Sequence, residues 1–247
     1  MKRYEKNIGS IISPRLQERL LNSAVAIVGI GGNGGYIAEY VARLGVGKII
    51  IFDGDTFEEN NLNRQTFSTE QVLGQKKAQV TLERLTAINS NIEYLIADCY
   101  LEEHSDWLEN EHPDFIFWCA DGHGDRSRDD MWIARNAVKR CLMSGGCTVI
   151  ESCLYEDEAF CAVFTGDDIE WYNERTDSWL RGQEMRKEET KWNSQPAYLC
   201  AMSAAMAVNE MVKTVAMENY PAFGQMLVYN LRESQIHRID HRYGKLY

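Results

Sequence analysis

The sequence feature that most constrains the fold is a cluster of glycines directly after a short apolar segment. Residues Ala24–Val28 are continuously apolar, and five of the seven residues at 29–35 are glycine. A short apolar run that ends in glycine is typical of a strand buried on both faces of a parallel sheet. Glycines between a strand and a helix let the backbone approach a phosphate, which the free N–H groups of the helix then bind. The segment therefore predicts a phosphate-binding turn.

The flanking sequence extends this turn into a larger α/β unit. Apolar residues at helical spacing predict a helix over residues 36–44, and Lys48–Phe52 reads as a second buried strand. Together they predict a βαβ unit with a right-handed crossover. Further strands are predicted at 92–97, 115–119, 148–152 and 160–164, helices at 76–89, 102–110, 131–143 and 198–217, and a hairpin at 227–231 and 235–239. We therefore expect an α/β fold: a Rossmann-like, mostly parallel sheet flanked by helices, with a C-terminal antiparallel extension.

Length and patterning indicate a single domain over residues 1–247, opened by a polar arm at 1–23 that contains a short helix after Pro14. Residues 167–195 differ from the rest because they combine many charges with tryptophans at 171, 179 and 192. A surface loop and a crossover loop that folds over a substrate are both compatible with this composition.

Charge and cysteine usage exclude several classes. The 26 Lys and Arg against 37 Asp and Glu give a net charge of −11, which is the wrong sign for binding mainly through nucleic-acid phosphates. The seven cysteines are odd in number and lack the short spacings of structural zinc ligands. No segment has the length and hydrophobicity of a membrane span or a targeting signal. We expect a cytoplasmic protein with reduced thiols, no zinc, no membrane partner and no nucleic-acid partner.

Asp53 follows the second predicted strand, about twenty residues after the glycine turn, where a carboxylate can accept hydrogen bonds from ribose hydroxyls. Turn and carboxylate together predict a nucleotide. By themselves these two features favour a nicotinamide-dependent dehydrogenase.

The segment after Asp53 argues against a dehydrogenase. Arg64 and Lys77 follow the carboxylate, and a dinucleotide's paired phosphates need no such pair. Attack at the α-phosphorus of a nucleoside triphosphate does, because it builds charge that guanidinium and ammonium groups stabilise. Asp121 leaves the strand predicted at 115–119 on the same edge and is suited to hold Mg²⁺ against the phosphates. Taken singly, each charge also fits a solvated surface position.

These motifs resemble the ThiF/MoeB/HesA adenylyltransferases, bacterial relatives of ubiquitin-activating enzymes. The shared pattern is Gly-x-Gly-Gly-x-Gly at 29–34, Asp-x-Asp at 53–55, Asn-Leu-x-Arg-Gln at 61–65, Gly-x-x-Lys at 74–77 and the later Asp121. The resemblance implies that a carboxylate attacks the α-phosphate of MgATP and forms an acyl-adenylate with release of pyrophosphate. The carboxylate would belong to the C-terminal glycine of a ubiquitin-like sulfur-carrier protein or to a peptide.

The resemblance also assigns roles to residues. The glycines of the turn would lie under the nucleotide, Asp53 would bind ribose, and phosphates would be contacted by Asn61, Arg64 and Lys77. Asp121 would be the metal-associated carboxylate, for Mg²⁺ bound through ATP. The full implied ATP-binding set is Gly29, Gly31, Gly32, Gly34, Asp53, Asp55, Asn61, Arg64, Gln65, Lys77 and Asp121.

The N-terminal arm departs from the family pattern. Relatives begin with Arg-Tyr-x-Arg-Gln, whose second Arg reaches the ATP phosphates of the partner subunit in a homodimer. Here Lys6 stands at that position, so a weaker phosphate clamp is expected, or Arg15 replaces it. The resemblance thus implies a homodimer in which the arm, with Lys6 as a catalytic residue, completes the partner's site.

Cysteine chemistry departs as well. The two Cys-x-x-Cys pairs of many relatives are missing, and Thr190 stands where thioester-forming relatives have cysteine. Cys200, inside the next predicted helix, is expected to be a buried core thiol. The sequence favours adenylation without a covalent thioester on this chain.

Three alternatives stay open at this point. A dehydratase acting on threonylcarbamoyladenosine in tRNA shares the fold but conflicts with the net charge. An NAD-dependent oxidoreductase leaves Arg64 and Lys77 without a reason. A non-catalytic partner subunit would be expected to lose Arg64, Lys77 or Asp121, all of which are present.

Overall fold

The computed structural model describes residues 2–120, 127–155, 158–188, 195–216, 225–240 and 245–246. Within these residues one sheet of nine strands runs in the order β3-β2-β1-β4-β5-β6-β7-β8-β9. Its strands are β1 Ala24–Val28, β2 Lys48–Phe52, β3 Glu93–Ala97, β4 Phe115–Trp118, β5 Thr148–Tyr155, β6 Glu158–Phe164, β7 Gln225–Asn230, β8 Gln235–Asp240 and β9 Lys245–Leu246. The first five are parallel, and each pairing from β5–β6 onward is antiparallel. The predicted fold class is confirmed.

Seven helices lie in the same described residues: α1 Pro14–Leu21, α2 Gly32–Leu44, α3 Lys77–Ile88, α4 Ser105–Asn110, α5 Arg128–Met143, α6 Ile169–Glu188 and α7 Ala197–Ala216. They cover both faces of the sheet, because alternate strand residues enter two different cores. Ile49 and Ile51 pack with α1, α2, α3 and α7, whereas Ile50 and Phe52 pack with α4, α5 and α6. This two-sided burial explains the unbroken apolar runs in the sequence.

The strand order places the glycine cluster at the topological switch point. β1 pairs with β2 on one side and β4 on the other, and Val28 aligns with both Phe52 and Trp118. The carboxyl ends of three parallel strands therefore meet at one edge, where ligands bind in open α/β sheets.

Several predicted boundaries shift. α2 begins at Gly32 instead of residue 36, since the glycines form its first turn. Strands β5 and β6 are longer than predicted and form a hairpin-like antiparallel pair. The predicted helix at 198–217 matches α7, whose buried residues include Leu199, Ala204 and Met211.

The interpretation of residues 167–195 as a loop is wrong for α6, which covers Ile169–Glu188. Its apolar side is narrow where side chains are described, at 169–178 and 180: the buried positions there are Tyr172, Thr176 and Leu180, each four residues from the next. Charged residues occupy most of the remaining positions, so the apolar stripe is too thin to stand out in the sequence. Residues 189–194, with Thr190 and Trp192, lie outside the described residues.

None of the helices in the described ranges combines the length and hydrophobicity that a membrane span requires. In the same ranges, His, Cys, Asp and Glu side chains form no group of three that could hold a metal ion.

Candidate active site

The glycine turn is packed too tightly to accept side chains. Gly29 has a φ of +91°, and a Cβ placed on it would lie 2.9 Å from the backbone N and Cα of Ala120. A Cβ on Gly34 would lie 1.9 Å from the carbonyl oxygen of Gly29. The turn therefore holds β1, the first turn of α2 and the end of β4 in direct backbone contact, which only glycine permits.

The N-terminus of α2 is open to an anion. Its N-cap is Gly31, which makes no side-chain capping hydrogen bond. The N–H groups of the first helical turn point outward with the positive end of the helix dipole behind them. A phosphate is the ligand that such a turn fits best.

The Asp53 carboxylate is hydrogen-bonded to the backbone of the glycine turn. It is 5% exposed, and its Oδ2 accepts the Ile30 N–H at 2.6 Å while its Oδ1 accepts the Asp55 N–H at 2.9 Å. Burial raises the pKa of Asp53, against the opposing effect of Lys77 and these two N–H groups. The carboxylate predicted to bind ribose is thus engaged with the protein backbone through both oxygens.

Asp55 presents the more accessible carboxylate. Its side chain is 47% exposed, and its Oδ2 lies 2.9 Å from Nζ of Lys77, which is itself 7% exposed. The Tyr100 hydroxyl donates to Asp55 Oδ1. Sequence reasoning missed Tyr100; its one signal is its position three residues after β3, on the same carboxyl edge.

The segment that contains Arg64 folds over the start of α2. Asn61 is buried, and its Oδ1 accepts the Glu58 N–H at 3.1 Å, closing the short turn at Glu59–Asn61. Arg64 Nη1 donates to the Asn60 carbonyl at 2.6 Å. Arg64 Cδ lies 3.7 Å from a Cβ placed on Gly32, so its stem runs beside the helix N-terminus.

Gln65 lies next to it, 6% exposed, with its Nε2 4.0 Å from a Cβ placed on Gly31. Within the described part of the chain, its buried Oε1 has no hydrogen-bond partner. An acceptor with no protein partner beside the glycine turn can accept a hydrogen bond from a bound ligand or water.

The N-terminal arm lies at the far end of α2. Gln17 Nε2 donates to the Leu44 carbonyl at 2.7 Å, and a Cβ on Gly45 would lie 2.3 Å from Cζ of Tyr4. The 13 residues of α2 separate this anchor from Gly32, which corresponds to about 20 Å of helix. Lys6 and Arg15 are both exposed on this arm, so the structure does not join them to the site of their own chain.

Asp121 lies outside the described residues. β4 ends beside β1 at the site, since the Cys119 N–H donates to the Val28 carbonyl at 2.9 Å. The remaining predicted residues lie together at one edge of the sheet. They are Gly29, Gly31, Gly32, Gly34, Asp53, Asp55, Asn61, Arg64, Gln65 and Lys77.

A profile of the ThiF family matches residues 4–245. The chain belongs to the ThiF family.

Relatives of this ThiF-family chain include enzymes with different names. The molybdopterin-synthase adenylyltransferase of Escherichia coli K12 is 27% identical over 230 residues, covering 89% of this chain and 83% of the relative. The tRNA threonylcarbamoyladenosine dehydratase of Haemophilus influenzae is 29% identical over 140 residues, covering 56% of this chain. That alignment spans about half of the dehydratase, 53% of its length. Among solved structures, E. coli MccB with MccA has a TM-score of 0.76 at 21% identity, covering 96% of this chain and 71% of MccB. This likeness shows the fold.

Cys200 of the ThiF-family chain is a buried thiol, as predicted. It is 0% exposed, and burial raises its pKa to about 11 although Arg64 opposes the shift. Its Sγ would lie 2.8 Å from a Cβ on Gly32, so the thiol fills the space behind the glycine turn. A thiol with this pKa is a poor nucleophile near neutral pH.

Two buried polar clusters were not predicted. Asn33, in the glycine cluster, donates to the hydroxyls of Ser152 and Ser203 at 3.3 Å each, which ties α2 to β5 and α7. Behind β4, Arg135 Nη2 donates to Glu151 Oε1 at 2.8 Å and Arg175 Nε donates to Glu151 Oε2 at 3.1 Å. Partners from three distant segments make both clusters invisible to motif analysis.

Proposed function

We propose that this ThiF-family chain is an adenylyltransferase that activates a carboxylate with ATP. The observation that carries the proposal is that Arg64 lies beside the uncapped N-terminus of α2, while Asp53 links the glycine turn to Asp55, which binds Lys77. The site contains carboxylates that can accept hydrogen bonds from ribose, and cations that can bind phosphates and stabilise a developing negative charge. A dehydrogenase would give Arg64 and Lys77 no function at this site.

The site residues suit a nucleoside triphosphate. The N–H groups at Gly32 and the Arg64 guanidinium bind phosphate oxygens, and the Gln65 Oε1 accepts a hydrogen bond from the ligand or from a water held by it. Asp53 binds the ribose hydroxyls, since each of its oxygens accepts one backbone N–H group and offers a second lone pair. The half-exposed Asp55 carboxylate lies next to it. Asn61 supports the turn that carries Arg64.

The reaction forms one bond and breaks one. A carboxylate oxygen of the substrate attacks the α-phosphorus of ATP, and the bond from that phosphorus to the bridging oxygen breaks as pyrophosphate leaves. Arg64 and Lys77 stabilise the negative charge that grows on the phosphoryl and leaving oxygens. Asp121 would hold Mg²⁺, which would supply further neutralisation of the phosphate charge.

The substrate we propose is the C-terminal carboxylate of a ubiquitin-like sulfur carrier or of a peptide. Support comes from the relative that adenylates molybdopterin synthase, whose alignment covers 89% of this chain, and from the shared fold with MccB, solved with MccA. The net charge of −11 speaks against the tRNA dehydratase alternative.

We also propose a homodimer in which the arm of one subunit completes the site of the other. Lys6 and Arg15 are exposed on an arm that is anchored one helix length from the glycine turn. A second copy is therefore the way for these cations to reach phosphates. Mixing Arg64→Ala with Lys6→Ala subunits would then restore sites that neither variant forms alone.

The test of the proposed function is ATP–pyrophosphate exchange with Mg²⁺ and labelled pyrophosphate. The panel contains carrier proteins ending in Gly-Gly, peptides with free C-termini and tRNA carrying threonylcarbamoyladenosine. Exchange that depends on a carrier or peptide is the expected result. Loss of the modified nucleoside without carrier-dependent exchange would favour the dehydratase, and absence of ATP binding by calorimetry would reject the nucleotide site.

A further inference from the structure

We propose that Asn89 and Gln17 are positioning residues: these two buried amides hold the N-terminal arm so that it presents Lys6 to the ATP site of the partner subunit. The inference rests on the proposed function, since it takes ATP as the ligand and a homodimer as the active form. It adds two residues that none of the sequence motifs contains.

The first anchor of the arm is Asn89, which directly follows α3 and is buried. Its Nδ2 donates to the Tyr4 hydroxyl at 2.9 Å and to the Ala42 carbonyl of α2 at 3.2 Å. Its Oδ1 accepts a hydrogen bond from Nη1 of Arg3. The Tyr4 ring also lies against Gly45, the residue that ends α2. One side chain therefore joins two neighbouring arm residues to the ends of α2 and α3.

The second anchor is Gln17, a buried residue of α1. Its Nε2 donates to the carbonyl of Leu44, the last residue of α2, at 2.7 Å. Its Oε1 accepts a hydrogen bond from Nδ2 of Asn7 at 3.2 Å. The Gln17 amide thus uses both of its ends to tie the arm to the same end of α2.

Lys6 lies between the two anchored parts of the arm. The Asn7 N–H donates to the Tyr4 carbonyl at 2.9 Å, which closes a backbone turn around Lys6. Lys6 itself is exposed, although the side chains of Tyr4 and Asn7 on either side of it are held by the buried amides. A cation on a segment that is already ordered binds a phosphate without a further entropy cost for ordering that segment.

The test uses mixed dimers in which one of the two ATP sites is defective. Subunits with two different affinity tags are co-expressed, and dimers that carry both tags are purified. Arg64→Ala in one subunit weakens the ATP site of that subunit. The remaining high-affinity site belongs to the other subunit and takes its arm from the Arg64→Ala subunit. Calorimetry measures the dissociation constant of that site for ATP, so the readout requires no carboxylate substrate.

Asn89→Ala is placed either on the Arg64→Ala subunit or on the other subunit, so that both dimers contain the same two substitutions. On the Arg64→Ala subunit it is expected to raise the dissociation constant for ATP about fivefold, because the loosened arm serves the high-affinity site. On the other subunit it is expected to change the constant by less than about twofold. Lys6→Ala in the same two placements sets the upper limit, about tenfold.

A second variant covers the case in which Asn89→Ala does not fold. Tyr4→Phe combined with Asn7→Ala cuts the arm from both anchors, keeps the Tyr4 ring on α2 and leaves the two buried amides in place. It is expected to show the same dependence on placement. Asn22→Ala is the matched control, because Asn22 is exposed and its Nδ2 donates to the Glu18 carbonyl of α1 at 2.8 Å. It is expected to leave the ATP constant unchanged in both placements.

Three results overturn the inference, and they differ in what else they remove. Equal ATP constants for the two Asn89→Ala placements, or a larger loss in the reverse placement, mean that Asn89 is only a structural contact. Monomeric wild-type protein, or a Lys6→Ala effect that does not depend on placement, removes the shared site and leaves ATP binding intact. Wild-type protein that binds no ATP removes the proposed function together with the inference.

Discussion

Each half of the parallel sheet, one around β1 and β2 and the other around β4 and β5, buries a carboxylate, and the two carboxylates have pKa values shifted in opposite directions. Asp53, behind β2, is held by two backbone N–H groups, and burial raises its pKa. Burial also disfavours the charge of Glu151, on β5, but Arg175 and Arg135 outweigh it and hold the pKa of Glu151 below its usual range. Lys77 does less for Asp53 because its ammonium bonds directly to Asp55. A buried charge needs cations in direct contact to remain favourable.

The difference corresponds to two tasks. In the half around β1 and β2, where we propose that the nucleotide binds and which we call the nucleotide half, backbone N–H groups satisfy the buried Asp53 carboxylate, and Asp55 and Arg64 remain partly exposed. In the half around β4 and β5, Arg135 of α5 and Arg175 of α6 both bind Glu151 of β5, and these contacts attach the two helices to the sheet. Arg135 also lies over the Trp118 ring at 4.4 Å, which adds a cation–π contact to the attachment.

The sharpest way to break this comparison is Glu151→Gln. Arg135 is 1% exposed and would lose its anionic partner, so the free energy of unfolding should fall by about 3–5 kcal/mol. Urea unfolding at neutral pH measures it. Glu109→Gln, which removes an exposed partner of Arg140, should cost at most about 1 kcal/mol. Equal costs for the two variants would mean that the buried network does not hold this half together.

Gly34→Ala tests the backbone contacts of the nucleotide half. The new Cβ would collide with the Gly29 carbonyl, so we expect a loss of about 1–3 kcal/mol of unfolding free energy and much weaker ATP binding. Gly9→Ala is the control for the unfolding free energy, because a Cβ on Gly9 meets nothing within 4 Å. Normal ATP affinity in Gly34→Ala would show that the turn does not shape the site.

Arg64→Ala tests the partly exposed cation. We expect at least a tenfold loss of pyrophosphate exchange, equivalent to about 1.4 kcal/mol, with little change in the unfolding free energy. Asp121→Ala should lose a similar amount. Arg43→Ala, on the exposed surface of α2, should leave exchange unchanged. Near-normal exchange in both Arg64→Ala and Asp121→Ala would contradict the site assignment.

Asp53→Asn compares the two carboxylates directly and should cost about 1 kcal/mol at neutral pH. The folded pKa of Asp53 is raised, so ionisation lowers wild-type stability as pH rises through that pKa. The cost of Asp53→Asn should therefore shrink from about pH 4 to about pH 7. Glu151 has a lowered folded pKa, so the cost of Glu151→Gln should grow as pH rises to the unfolded pKa. The same pH trend in both variants would erase the distinction.

The smallest expected effect is that of a zinc chelator on the melting temperature. No group of three metal-binding side chains is present among the residues described, and the cysteines lack zinc-ligand spacing. We expect no shift in a thermal melt with and without chelator. A large decrease would reveal a structural metal in either half.

The two halves also differ in how much of their structure could be predicted from the sequence. β1, β2 and the glycine turn were predictable because they lie within about thirty consecutive residues whose apolar and glycine pattern admits one arrangement. Family membership, confirmed by the profile match over residues 4–245, rests on motifs that are equally local. α6 was missed for two reasons. Its apolar stripe is thin, and the ionic contacts that attach it, from its own Arg175 to Glu151 and on to Arg135, join residues far apart in the chain.

The sequence by itself determined the α/β class, the glycine turn and the set of residues near it, since each depends on short-range pattern. Only the tertiary structure decided which of two nearby carboxylates is buried. The Gly54 backbone, the Tyr100 ring and the Ile30 N–H are what separate Asp53 from Asp55. Burial and hydrogen-bond partners come from segments that meet only in the fold, and they set whether a carboxylate is buried against the backbone or partly exposed.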